Sequence, residues 1–251
     1  MGDPGARDVC DALAERANSD DAVHLQRFFK TGPGEYGEGD VFIGVRVPKT
    51  RTVVKKFADL ELPQVDLLLG SEVHEHRLAG LLILVTQFEK ASKLRTFDDA
   101  TRRKIADFYL DAVERGRVNS WDLVDSSAGQ IFGGWLFDRD RSPIFELSAS
   151  GDLWRRRVAL LSTYGFITRG DSSTTLELAE SVLGDRRDLT QKAMGWMLRE
   201  VGKRVDRDLL TGFLELNAAQ MGRTALSYAC EHLSAAERAY FRALRPSDLL
   251  P

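Results

Sequence analysis

Cysteine is nearly missing from this chain. Cys10 and Cys230 are the two in 251 residues, far apart and in no metal-ligand spacing, so neither a disulfide framework nor a zinc site is indicated. Histidine is scarce as well. His74-Glu75-His76 is not H-E-x-x-H, and His24 and His232 are remote from it, so no metal or cofactor is expected. Long apolar runs are also lacking: the longest, Leu78 to Val85, contains Gly80 and falls far short of the roughly 20 residues a bilayer requires. The start, Met1-Gly2-Asp3-Pro4-Gly5, has no basic n-region and no apolar h-region, so no signal peptide is read there. These absences point to a cytoplasmic protein without a membrane association. Thirty-five Lys and Arg against 38 Asp and Glu give a net charge of −3, which excludes a global polycation, so basic character has to be sought locally. With no low-complexity segment or long linker either, residues 1–251 read as one domain.

What is present is helical periodicity. The hydrophobic share of 43% and charged share of 29% are those of a folded, soluble protein. Apolar spacing predicts helices near 6–17 and 20–30, the second capped by Ser19. Another opens at Pro48 and carries Val53, Val54 and Phe57. Further helices are predicted near 62–69, 72–91, 98–114, 121–137, 152–168, 174–183, 188–203, 206–217, 223–232 and 235–244. The last opens on the capping box Ser234-Ala235-Ala236-Glu237. Val41 to Val47 alternates weakly and reads as extended. Thr31 to Gly39 reads as a loop. Its Gly32, Gly34 and Gly37 fit G-x-G-x-x-G, but no strand precedes them, no helix follows, and two glutamates would repel phosphate, so the dinucleotide reading fails.

Five segments overlay, each a basic or aromatic residue followed by an apolar helical run. They begin at Arg77, Trp121, Arg157, Lys192 and Arg223, in steps of 44, 36, 35 and 31. That is the period of two-helix HEAT and armadillo repeats. In such a stack those five residues would line one wall, with Asp125 and Trp196 a helical turn further on. Ser120 is a good N-cap for a helix opening at Trp121, and the i, i+4 spacing puts the Trp121 indole and the Asp125 carboxylate on one face while Leu123 and Val124 turn to a core. From Asp185 to Arg207 seven basic residues stand against four acids, a locally basic stretch that a solvated helix face would also produce. A tryptophan on such a helix is more often core than catalyst, and Asp125 alone would read as a surface acid. Trp135 and Trp154 are assigned to packing.

The segments Arg27 to Gly37, Gly44-Val45-Arg46-Val47-Pro48, Asn119 to Asp125, Lys192 to Glu200 and Met221 to Leu226, in this order and at these separations, resemble the AlkD-type DNA alkylation repair glycosylases over nearly the whole chain. The resemblance implies an all-α fold, a C-shaped α-solenoid of HEAT-like repeats whose concave face holds duplex DNA. It also implies excision of N3- and N7-alkylated purines. By matching motifs, Trp121, Asp125 and Trp196 stand at the family's catalytic positions. Arg157 stands at its phosphate-contacting arginine, with Arg155 and Arg156 beside it as competitors, and Arg46 and Arg199 at its backbone contacts. Phe28 stands where some members have a tyrosine, so a hydroxyl contact is lost. Lys192, Arg223 and Arg77 join the DNA-binding set from the repeat overlay.

The chemistry follows from the lesion. Alkylation at N3 or N7 makes the purine cationic, weakens its bond to C1′ and lets it leave neutral, so no general acid is needed. Positive charge then grows on the sugar, and a carboxylate such as Asp125 stabilises it and orients water. Trp121 and Trp196 offer electron-rich faces to a cationic nucleotide. The family is thought to leave the base in the duplex, in contrast to enzymes that flip it. No lysine nucleophile is demanded, so the expectation is a monofunctional glycosylase producing an abasic site in double-stranded DNA. It would act as a monomer and associate with the nucleoid when bound. The alternatives are a non-catalytic HEAT-repeat module that binds branched or damaged DNA, and a protein-binding scaffold. The retained Trp121, Asp125 and Trp196 argue for the enzyme, and the aligned cations argue against the scaffold.

Overall fold

The computed structural model describes residues 4–245; residues 1–3, on which the reading of the N-terminus partly rests, lie outside them. The fold is all-α, with 67% helix and no strand among the described residues. The chain groups into two compact units, Met1–Ile131 and Phe132–Pro251. The first holds α1 (Ala6–Ala14), α2 (Ser19–Phe28), α3 (Val47–Val54), α4 (Leu62–Leu69), α5 (His74–Ser92), α6 (Asp99–Glu114) and α7 (Trp121–Asp125). The second holds α8 (Gly134–Leu136), α9 (Ser142–Ala149), α10 (Leu153–Ser162), α11 (Tyr164–Ile167), α12 (Ser173–Ser181), α13 (Asp188–Arg204), α14 (Arg207–Asn217), α15 (Arg223–Ala229) and α16 (Ala235–Ala243). Among the described residues no helix is long and apolar enough to cross a membrane.

Each unit is built round one long helix. In the first it is α5, apolar on nearly every side. Leu78, Leu81, Leu82, Ile83, Leu84 and Phe88 are all buried because α1, α3, α4, α6 and α7 pack against it. Each such side chain contributes about 1.5–3 kcal/mol relative to exposure. In the second unit α13 takes this place, flanked by α10, α12, α14 and α15. Its closest approach is to α15. A Cβ on Gly195 would collide with the Ala225 carbonyl oxygen and lie 2.7 Å from the Tyr228 Cβ, so glycine is required there by contact.

Several boundaries differ from the sequence reading. Asn18, not Ser19, caps α2, accepting the Asp21 N–H at 2.9 Å. The continuous helix expected over 121–137 breaks: after α7 the chain makes a π-helical turn, Gly129–Gly133, before α8. Gly133 passes so close to the Ser162 carbonyl that a side chain could not fit, and a π turn is a common way to accommodate such an insertion. The helix expected over 152–168 divides at Thr163, whose hydroxyl donates to the Leu160 carbonyl at 2.7 Å. Helix α9, with Pro143 in its first turn, is absent from the sequence reading. The capping box at Ser234 is formed.

The loop over 31–39 holds itself together. The Gly32 and Gly34 N–H groups donate to Glu35 and Glu38, each at 2.9 Å, so the glutamates of the false G-x-G-x-x-G occupy the donors a phosphate would need. The segment expected to be extended makes only an isolated bridge between Val41 and Val73. It is fixed instead by Glu75, whose buried carboxylate accepts N–H bonds from Ile43, Gly44 and Val45, the shortest at 2.8 Å.

Candidate nucleic-acid interface

In the first unit the candidate residues sit on α7. Ser120 enters it in extended conformation as N-cap, but its side chain makes no capping bond. Leu123 and Val124 are fully buried, as the amphipathic pattern requires, which leaves Trp121 and Asp125 half-buried. The Trp121 indole stacks on Phe29, with ring centroids 5.0 Å apart and 7° between planes, and meets the edge of Phe28 at 5.9 Å. Phe28 itself is 58% exposed, so an aromatic surface continues outward from Trp121. Asp125 lies close enough to the buried Tyr109 that its charge, added to the larger effect of burial, pushes that phenol's pKa up. The Tyr109 hydroxyl shares a 3.0 Å hydrogen bond with Ser127, which donates in turn to the Leu123 carbonyl at 2.6 Å and so ties the end of α7 to α6.

Two cations of this unit behave differently from each other. Arg46 is exposed at the start of α3 and held by two hydrogen bonds to Asp21, at 3.0 and 2.6 Å. Arg77 is 6% exposed, paired with Asp40 and bonded to the Ser71 carbonyl at 3.1 Å, so its guanidinium is already engaged inside the first unit. Position 77 falls on the inward side of α5, where the overlay of the five segments carries over the helix but not the exposed face.

In the second unit Arg157 is also buried, 4% exposed, and reaches the Leu189 carbonyl at the start of α13 at 2.8 Å. Its neighbour Arg156 is committed to the Ser148 and Ser150 carbonyls and to Asp185, while Arg155 is half-buried. Lys192 pairs with Asp188 one turn back at 2.7 Å. Trp196 is half-buried, donates its indole N–H to Glu200 at 3.3 Å, and lies 6.5 Å from the Tyr164 ring. Arg199 is held between Glu200, at 2.9 Å, and Glu231. Arg223 stands exposed in the first turn of α15, with no ion pair to any described residue.

The sequence reading misses two anions, one buried and one half-buried, that organise these groups. Glu200 is 3% exposed and accepts from Trp196, Arg199 and Arg204. Burial alone would raise its pKa, and the bonds from Arg204 and Arg199 outweigh that and hold it low. Asp40 is similar, with His74 and Arg77 overcoming burial. The available signal for Glu200 was its place four residues after Trp196 and four before Arg204, on one helical face. The seven-to-four basic excess around α13 is also less free than its count implies. Arg187 is bonded to Asp185, Lys192 to Asp188, and Arg199 and Arg204 to Glu200. Among the described residues no group of three or more His, Cys, Asp and Glu is arranged to hold a metal.

The profile of the family described as DNA alkylation repair enzyme matches residues 9–233. Among solved structures the chain is similar to a predicted DNA alkylation repair enzyme from Enterococcus faecalis. The TM-score is 0.64 and the identity 15%, over 88% of this chain and 98% of that one, which establishes likeness of fold. No curated protein matches the chain.

Proposed function

The chain belongs to the DNA alkylation repair enzyme family, and from that premise we propose that it is a monofunctional DNA glycosylase. It hydrolyses the N-glycosidic bond of cationic N3- and N7-alkylated purines in duplex DNA without flipping the base. The observation that carries this reading is the pairing, on the short α7, of a half-buried Trp121 backed by Phe29 with a half-buried Asp125 one turn along. A cationic nucleotide is attracted to an indole face, and a carboxylate in a poorly solvated setting stabilises the positive charge that develops at C1′. As the C1′–N bond breaks, its electron pair neutralises the departing base. Water then bonds to C1′ and gives up a proton, and Asp125 orients that water. The product is an abasic site and a neutral alkylpurine, with no cofactor consumed.

On the second unit we assign Trp196 to a nucleotide contact, and Arg157, Lys192, Arg199 and Arg223 to phosphate. Arg46 and Phe28 contact the backbone from the first unit. Arg157 is buried and already bonded to the Leu189 carbonyl, which favours a fixed direction for its guanidinium over a mobile surface contact. We place the activity in the cytoplasm, on chromosomal DNA, with the protein acting as a monomer.

Base release from methylated duplex DNA tests the reading. The wild type is expected to free methylpurines, and Asp125→Asn to lose about 10²–10³-fold in the rate while retaining duplex binding. Arg157→Ala should weaken binding and rate together. A wild type that binds duplexes but frees neither methylated nor bulkier alkylated purines would make the protein a non-catalytic damage-binding module.

A further inference from the structure

His74-Glu75-His76 opens α5, and the proposed chemistry makes no use of it. The His74 ring is buried, with a side chain 2% exposed. It donates from Nδ1 to Asp40 at 2.9 Å and from Nε2 to Asp122 at 2.8 Å. A carboxylate only accepts, so two such bonds use both ring N–H groups and require the imidazolium. Asp40 also takes the Arg77 guanidinium. The second oxygen of Asp122, Oδ1, is buried with no hydrogen-bond partner among the described residues, which makes its bond to His74 the directional contact of that carboxylate. Glu75, next on the helix, is turned to the N–H groups of Ile43, Gly44 and Val45.

The ring is connected to α7 by a second route. It lies against Phe42, centroids 4.5 Å apart at 21°, and against Phe29 at 5.0 Å, and Phe29 is the ring on which Trp121 stacks. The helix so held has only five residues and no side-chain cap, too short to fix itself. Burial of Leu123 and Val124 keeps it against the core but is non-directional. We propose that His74 is a positioning residue: by bridging Asp40 and Asp122 and backing the Phe29–Trp121 stack, it fixes the first turn of α7 and with it the aim of Trp121 and Asp125. This rests on the function proposed above for those two side chains. His74 is not itself an acid in the reaction, because both its N–H groups are committed and its ring is sealed from solvent.

The test compares wild type, His74→Gln and the double variant His74→Gln with Asp122→Asn. It measures single-turnover release of methylpurine, duplex affinity, and the emission of Trp121 obtained by subtracting the Trp121→Phe spectrum. His74→Gln should release base at least about tenfold more slowly, with affinity within about twofold and an altered Trp121 emission. The double variant should recover part of the rate, because it no longer buries an unpaired carboxylate. A His74→Gln protein with the wild-type rate or unchanged Trp121 emission overturns the proposal. If His74→Gln does not fold, wild-type Trp121 emission is followed from pH 7 to 10: a change near pH 9, absent from the Trp121→Phe protein, supports the bridge, and a flat response overturns it. A wild type that frees no base defeats the glycosylase reading, while the emission comparison still decides whether His74 positions Trp121.

Discussion

The buried His74 imidazolium, held between Asp40 and Asp122, braces the fold in a pH-dependent way. Burial alone would lower the pKa of His74, but Asp122 and Asp40 outweigh it and push the value up to about 9. In the unfolded chain an imidazole titrates near ~6.5. A group whose pKa is raised on folding stabilises the fold fully below the unfolded value, and that contribution is lost as pH rises through the folded one. His74 is therefore expected to supply on the order of 3 kcal/mol at pH 6 and little above pH 9. Urea unfolding of wild type and His74→Gln should show wild-type stability falling across that window while the variant stays comparatively level; parallel curves would remove the brace. The acid on the other side has the opposite sense: the lowered pKa of Asp40 gives stability present at neutral pH and lost on acidification. At this scale the sequence was informative where spacing encodes a role and silent where a role depends on three-dimensional partners. The half-buried placement of Trp121 and Asp125 on α7 was legible because i, i+4 spacing puts them on one face. His74 was not, because Asp40 and Asp122 reach it from 34 residues before and 48 after.

Helix positions were legible because both units rest on amphipathic or wholly apolar repeats, and α5, α6, α13 and α14 fall within about two residues of where periodicity puts them. The Gly129–Gly133 turn interrupts a helical pattern where Gly133 passes close to the Ser162 carbonyl, and Thr163 divides another where its hydroxyl bonds back to the Leu160 carbonyl. Contact between elements also reverses the usual preference for alanine over glycine in helices. On α13, Gly195→Ala gains about 1 kcal/mol of intrinsic propensity. It also drives a methyl group into the Ala225 carbonyl and the Tyr228 Cβ, an overpacking that costs about 1–3 kcal/mol and more where backbone must move. We expect a net loss of stability. Gly212 on α14 has no neighbour within 4 Å of an added Cβ, so Gly212→Ala should instead stabilise by about 0.4–1 kcal/mol. Chemical denaturation midpoints moving in opposite directions would bear out the α13–α15 contact, and two stabilising substitutions would contradict it.

For the molecule as a whole, a net charge of −3 means that attraction to DNA must come from local cations while the remaining charge repels. The structure adds that many of these cations are already paired, Arg46 with Asp21, Lys192 with Asp188 and Arg199 with Glu200 and Glu231. A phosphate that takes such a cation competes with a carboxylate for it, so the gain is smaller than for a cation with no ion pair to exchange. Arg223 is exposed and has no ion pair to any described residue. Its removal is therefore the cleaner measure of one phosphate contact. Each phosphate neutralised steepens the dependence of log K on log salt by about 0.9. Arg223→Ala should reduce that slope by roughly 1 and weaken unrelated duplex sequences equally, since a phosphate contact carries no sequence information. Lys192→Ala should weaken binding by less, because Lys192 already shares its charge with Asp188 before DNA arrives. Titrations at several salt concentrations separate the cases. An Arg223→Ala slope equal to wild type, or a loss confined to one sequence, would take Arg223 out of the DNA interface.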